Sequence, residues 1–148
     1  MANPDSVGQK YPDSFGNYAL ASATAVSLAA TGNAVVALPI LSGGLTAGNS
    51  VATSGAVIVR RVTIQNPSAS VATGNISILT SSDGNVSNAV VANVVLSSMT
   101  GTGTFQDATI SGGNVLVSGY NSQALFLKVN TAVSGTVDIR VYGDTVNF

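Results

Sequence analysis

Apolar residues in this chain come in short runs, and turn-forming Gly, Ser, Thr, Asn and Pro interrupt them every 8 to 15 residues. Within the runs, small and β-branched residues dominate, which favours extended strands over helices. The pattern predicts strands at 23–30, 34–41, 56–65, 75–81, 88–97, 103–110, 114–119, 124–130 and 136–143. Only 88–97 (NAVVANVVLS) also fits a short helical turn, and its valines favour strand. Alternation is clearest near the end of the chain. Leu125, Leu127 and Val129 share one face of their strand, with Phe126, Lys128 and Asn130 on the other. Val137, Ile139 and Val141 likewise oppose Asp138, Arg140 and Tyr142. These last two strands are expected to pair as a hairpin, with Lys128 and Asp138 on a common outer face. Asp83-Gly84 is a second hairpin signal.

So many short strands in one chain of 148 residues predict an all-β domain of two packed antiparallel sheets, a jelly-roll or Greek-key-like sandwich. Residues 1–20 read differently. Pro4 and Pro12, the charges of Asp5, Lys10 and Asp13, and the aromatics Tyr11, Phe15 and Tyr18 describe an extended N-terminal arm, with the sandwich at 21–148. Aromatics along a polar extended segment suit anchors for a neighbouring surface.

Arg60 and Arg61 break the alternation of 56–65, because neighbouring side chains on a regular strand point to opposite faces. Three arrangements resolve this. A bulge could turn both outward, Arg60 could reach out at the rim of the sandwich, or the strand could be covered on both faces by another subunit. An arginine held in such a contact needs an acid or carbonyls, and Asp107, Asp138 or Asp144 could serve, from the same chain or a neighbour.

Composition narrows the function. The chain has no His, Cys, Glu or Trp; charged residues make up 7% and the net charge is −1. Ordinary domains carry about 25% charged residues. A net charge this close to zero offers nothing to nucleic acid or an anionic membrane. No apolar run is long enough to cross a bilayer as a helix. No secretory signal is expected at the start, where acids and prolines replace a basic and apolar leader. A Ser-His-Asp arrangement is impossible, and Ser-Lys chemistry would depend on Lys10 or Lys128. No catalytic, cofactor or metal site is expected. Asp83 and Asn85 lack the spaced acids of a calcium loop, and the glycine-rich 42–50 lacks the Lys of a phosphate loop. Asn75 and Asn85 match the glycosylation acceptor pattern by chance on this reading. Tyr120 and Tyr142 offer thin support for carbohydrate binding. The low charge is better explained by a surface covered in an assembly.

A cysteine-free β-sandwich rich in Ala, Val, Ser, Thr, Gly and Asn, with MANPDSVGQKYPDSFGNY leading into ATAVSLAATGNAVVALPIL and AVIVRRVTIQNPSAS, resembles the small capsid decoration, or cement, proteins of tailed bacteriophages. The resemblance covers the whole chain in style and carries over no functional residue. It implies a non-enzymatic virion structural protein, often a homotrimer. Its partner would be the major capsid protein or another virion protein, and its place the capsid surface after assembly in the host cytoplasm. Tyr11, Phe15, Tyr18, Arg60 and Arg61 are then the expected interface residues. A phage fibre, tail or receptor-binding component that binds carbohydrate is the alternative, and a self-assembling shell or filament subunit a third.

Overall fold

A computed structural model describes residues 18–31, 35–39, 55–111, 116–118 and 124–147. The described residues form nine strands: β1 (Tyr18–Ser27), β2 (Val35–Pro39), β3 (Gly55–Gln65), β4 (Asn75–Leu79), β5 (Ala89–Val95), β6 (Phe105–Ala108), β7 (Leu116–Ser118), β8 (Ala124–Thr131) and β9 (Thr136–Asn147). They make two antiparallel sheets. One has the order β1-β9-β3-β6, with β7 also on β3; the other has the order β2-β8-β4-β5. Successive strands thus wrap between the sheets in jelly-roll order, as the strand pattern allowed. β6 and β7 lie end to end along one side of β3, opposite residues 62–65 and 56–58.

Alternation explains the core. Val62, Ile64, Val137, Ile139 and Val141 from the first sheet pack on Ile76, Ile78, Leu125, Leu127 and Val129 from the second, all buried. Burying each such side chain stabilises the fold by about 1.5–3 kcal/mol before entropy is counted. Residues 89–95 of the segment 88–97 form strand rather than α-helix, with two register shifts against β4, and Asn93, at one of them, has φ 50°. At that shift Asn93 N–H donates to Ser77 Oγ at 3.0 Å.

Two expectations need correction. The strands at 124–130 and 136–143 do not form a hairpin, since β8 and β9 belong to different sheets. Their apolar faces meet across the core instead of lying side by side. The connection is held as an arch by Leu28, whose N–H donates to Gly135 O and whose carbonyl accepts from Val133 N–H, both at 3.0 Å. Lys128 and Asp138 are therefore not paired. Lys128 Nζ donates to Gly84 O at 2.7 Å, while Asp138 accepts from Ala25 and Asn66. The second correction concerns Tyr18, Ala19 and Leu20, read as the end of the arm. They open β1: Tyr18 and Ala19 pair with Gly143 and Tyr142 of β9, and Leu20, the extra residue at a register shift, is fully buried.

Asp83-Gly84 does lie in the connection of an antiparallel pair, β4 and β5. Gly84 takes φ 73°, which suits a residue without Cβ. The connection is longer than a two-residue turn and contains one 3-10 turn at Val86–Asn88. It curls over the outer face of its sheet, where Gly84 meets Lys128. Leu79 and Ala89, on that outer side, are buried although they stand apart from the main core cluster.

Candidate interaction face

The arginine pair sits on a β-bulge. Along β3, Val59 pairs with Gly143 and Arg61 with Tyr142, so Arg60 is the extra residue. Val59 and Val62 are buried on either side, and both arginines are exposed on the outer face. The bulge open from sequence is formed. Gly143 makes it possible. A Cβ there would fall on the Ile58 carbonyl oxygen and lie 2.7 Å from Leu20 Cδ1, so β3 and β9 approach this closely only over glycine.

Each arginine finds an acid in its own chain. Arg60 Nε donates to Asp144 Oδ2 at 2.8 Å. Arg61 grips Asp107 with two parallel bonds, Nε to Oδ1 at 3.0 Å and Nη2 to Oδ2 at 2.9 Å. Thr63 Oγ1 adds a 2.7 Å bond to the same Asp107 Oδ1. Arg61, then Thr63, hold the Asp107 carboxyl below the usual carboxylate range, and Asp107 raises Arg61 in return. Both pairs lie in water-accessible positions, where such bridges stabilise little.

The outer face of the β1-β9-β3-β6 sheet collects most of the charge of the described residues. Arg60, Arg61, Arg140, Asp107, Asp138 and Asp144 all project from it, in equal numbers of each sign. Asp138 is bound by Asn66 Nδ2 and by the backbone N–H of Ala25, which together lower its pKa. At the corner of this face stands Phe105, 62% exposed and the most exposed large apolar side chain among the described residues. It pairs with Gln65 at the end of β3. Its neighbour Gln106 points the other way and closes the gap between the sheets, accepting from Ser98 N–H at 3.0 Å and donating to Val95 O at 2.8 Å.

The other sheet presents a different outer face. Lys128 is its one charged strand residue among those described, and beside it Asn130 Nδ2 donates to Asn75 Oδ1 and to Ser77 Oγ. Asp83, in the loop above, is lowered chiefly by the Asn85 N–H it accepts, and also binds Asn88 Nδ2. No group of three or more Asp residues able to hold a metal occurs among the described residues, and no buried side-chain polar atom there lacks a hydrogen-bond partner.

Of the residues singled out from sequence, Arg60 and Arg61 fall together on the charged face. Tyr142 is half-buried between them and β1, paired with Ala19. Tyr18 is the first residue of β1, and Tyr11, Phe15 and Tyr120 lie outside the described residues. Phe105 was missed, although parity in GTFQDATI places it on the same face as Asp107. None of the described helical turns is long and apolar enough to cross a membrane. Comparison with protein families, with curated proteins and with solved structures finds no match for this chain.

Proposed function

We propose that this chain is a non-enzymatic virion structural protein, a decoration protein that binds an assembled capsid lattice and strengthens it. One observation carries the non-enzymatic part. Every described carboxylate already holds the fold: Asp83 its loop, Asp107 and Asp144 the arginines of the bulge, Asp138 the bulge of β1. The chain has no His, Cys or Glu, and proton transfer through any of these four carboxylates would break what it holds. The low charge supports a surface that works while covered. The virion setting comes from the resemblance of the whole chain to phage decoration proteins. The jelly roll, common in viral capsid domains and also in lectins, agrees with it by analogy of fold.

The reading gives the arm around Tyr11 and Phe15 the role of anchor on a neighbouring subunit. Its test is attachment. Purified protein, mixed with shells assembled from the major capsid protein of the same genome, should co-sediment and saturate at a fixed number of copies per shell. Removal of residues 1–17, which leaves β1 whole, should abolish co-sedimentation and leave the circular dichroism of the sandwich unchanged. Saturable binding to host cells or glycans with no binding to shells would replace this reading with a receptor-binding one.

A further inference from the structure

We propose that Asp83-Gly84 is a covalent modification site, where the chain isomerises to isoaspartate, and that Lys128 gates the reaction by holding the Gly84 carbonyl. The chemistry needs an aspartate followed by a residue whose main-chain nitrogen can reach the side-chain carboxyl. Glycine suits best, because no Cβ stands in the way. Asp83 is the one aspartate of six with glycine after it, and no asparagine precedes a glycine. In the reaction the Gly84 nitrogen attacks Asp83 Cγ. A C–N bond forms, a C–O bond breaks, and water leaves with the amide proton. Water then opens the five-membered ring. Opening at Cγ restores aspartate, and opening at the Asp83 main-chain carbonyl leaves the chain running through the side chain. Water is the only co-reactant, and the product has the composition of the starting chain.

The loop both presents this dipeptide and restrains it. Ser82, Asp83, Asn85, Val86 and Ser87 are exposed, while Gly84 is buried, with φ 73°. The Gly84 carbonyl accepts Lys128 Nζ at 2.7 Å. The Asp83 carboxylate is turned to other partners. Its Oδ1 accepts Asn85 N–H at 2.9 Å and its Oδ2 accepts Asn88 Nδ2 at 3.2 Å. Asn85 first, then Ser81 and Asn88, hold the carboxyl below the usual carboxylate range, and an ionised carboxylate is a poor target for a nitrogen nucleophile. Ring closure must swing the carboxyl off Asn85 and turn the Asp83-Gly84 peptide against the hold of Lys128. That hold comes from β8, 44 residues away in sequence, so it exists only while the sheet is folded. An isoaspartyl link adds one carbon to the main chain between Asp83 and Gly84, which takes the Gly84 carbonyl off Lys128 and leaves the loop released. The assignment is independent of the capsid reading, because it depends only on this loop and β8.

Ageing of the full chain at neutral pH and physiological temperature tests it. Isoaspartate is counted by methyl transfer from S-adenosylmethionine with a protein isoaspartyl methyltransferase. It is placed in the sequence by loss of cleavage before residue 83 with a protease that cuts ahead of aspartate but not of isoaspartate. The wild type should take label at residue 83, slowly when folded and much faster in urea. Lys128→Met should speed labelling of the folded chain about fivefold, the factor for one hydrogen bond lost. Asn88→Ala, which frees only the carboxylate, should also speed it, and it serves if Lys128→Met does not fold. Asp83→Glu, whose ring would need a sixth atom, should take no label. No label at residue 83 in urea overturns the proposal, as does a folded wild type that reacts as fast as the unfolded chain. A folded Lys128→Met protein that reacts at the wild-type rate removes the gate, and so does an Asn88→Ala protein that does so.

Discussion

Asp138 reaches across from β9 to accept the backbone N–H of Ala25 at 2.8 Å, a contact between residues 113 apart in sequence. Ala23 pairs with Ile139 and Val26 with Val137, so Asp138 faces two residues of β1 where a regular strand would offer one. Its other oxygen holds Asn66 Nδ2 at 2.8 Å. Both partners have left-handed backbones, φ 52° at Ala25 and at Asn66. One carboxylate thus stabilises two conformations that residues other than glycine seldom adopt.

Acid should expose this role. Asn66 and Ala25 lower the Asp138 pKa in the fold, so its contribution is complete above the unfolded carboxylate value, about 3.9, and fades as pH falls through the lower folded value. Asp107 and Asp83 shift in the same direction. The melting temperature should be flat from neutral pH to about 5 and fall below about 4. Asp138→Asn should melt lower at neutral pH, by about 1 kcal/mol given its partial exposure, and lose less on acidification. Thermal melts of both proteins across that range check it.

Ala25→Gly should stabilise the protein by about 0.5–1 kcal/mol, because glycine relieves the left-handed strain and its added unfolded entropy offsets only part of the gain. Ala25 is exposed, so no packing is lost. Urea unfolding should show a higher midpoint with an unchanged slope.

Gly143→Ala should have a large opposite effect. The clash is with the backbone of Ile58, which cannot rotate away, and with Leu20 in the core. A loss of at least about 2–3 kcal/mol is expected, seen in the same unfolding experiment. Gly101→Ala is the control, since a Cβ there meets nothing within 4 Å, and it should be close to neutral.

Lys128→Met should free the loop over the second sheet. Its Nζ is the donor that holds Gly84 O there, while the methionine keeps the apolar length of the side chain. Hydrogen exchange should speed up in 81–88 with slow exchange retained in β8, and global stability should drop by about 1 kcal/mol. Unchanged exchange in 81–88 would show that the loop is held by other contacts.

Alternation in the sequence was enough to assign side chains to faces, as Leu125, Leu127 and Val129 or Val137, Ile139 and Val141 show. It could not say which strands are neighbours. The expected pairing of 124–130 with 136–143 failed for that reason, because the same two apolar faces satisfy one another across a sandwich as well as along a sheet. The arginine pair was legible as an irregularity, and its acids were among the candidates, since an outward strand of a charge-poor chain leaves few partners. The glycine that permits the bulge was not legible, because Gly143 lies 84 residues downstream of Val59 and only the fold brings them together. Phe105 passed unnoticed because a lone aromatic in a strand reads as core unless the register of its neighbours is known.

The most direct test of the structural-protein account is co-sedimentation of the purified full-length chain with capsid shells of the same genome. The account requires saturable binding at a fixed ratio and shells that withstand more heat with the protein than without it. Shells that remain bare at excess protein, with their heat resistance unchanged, would contradict it.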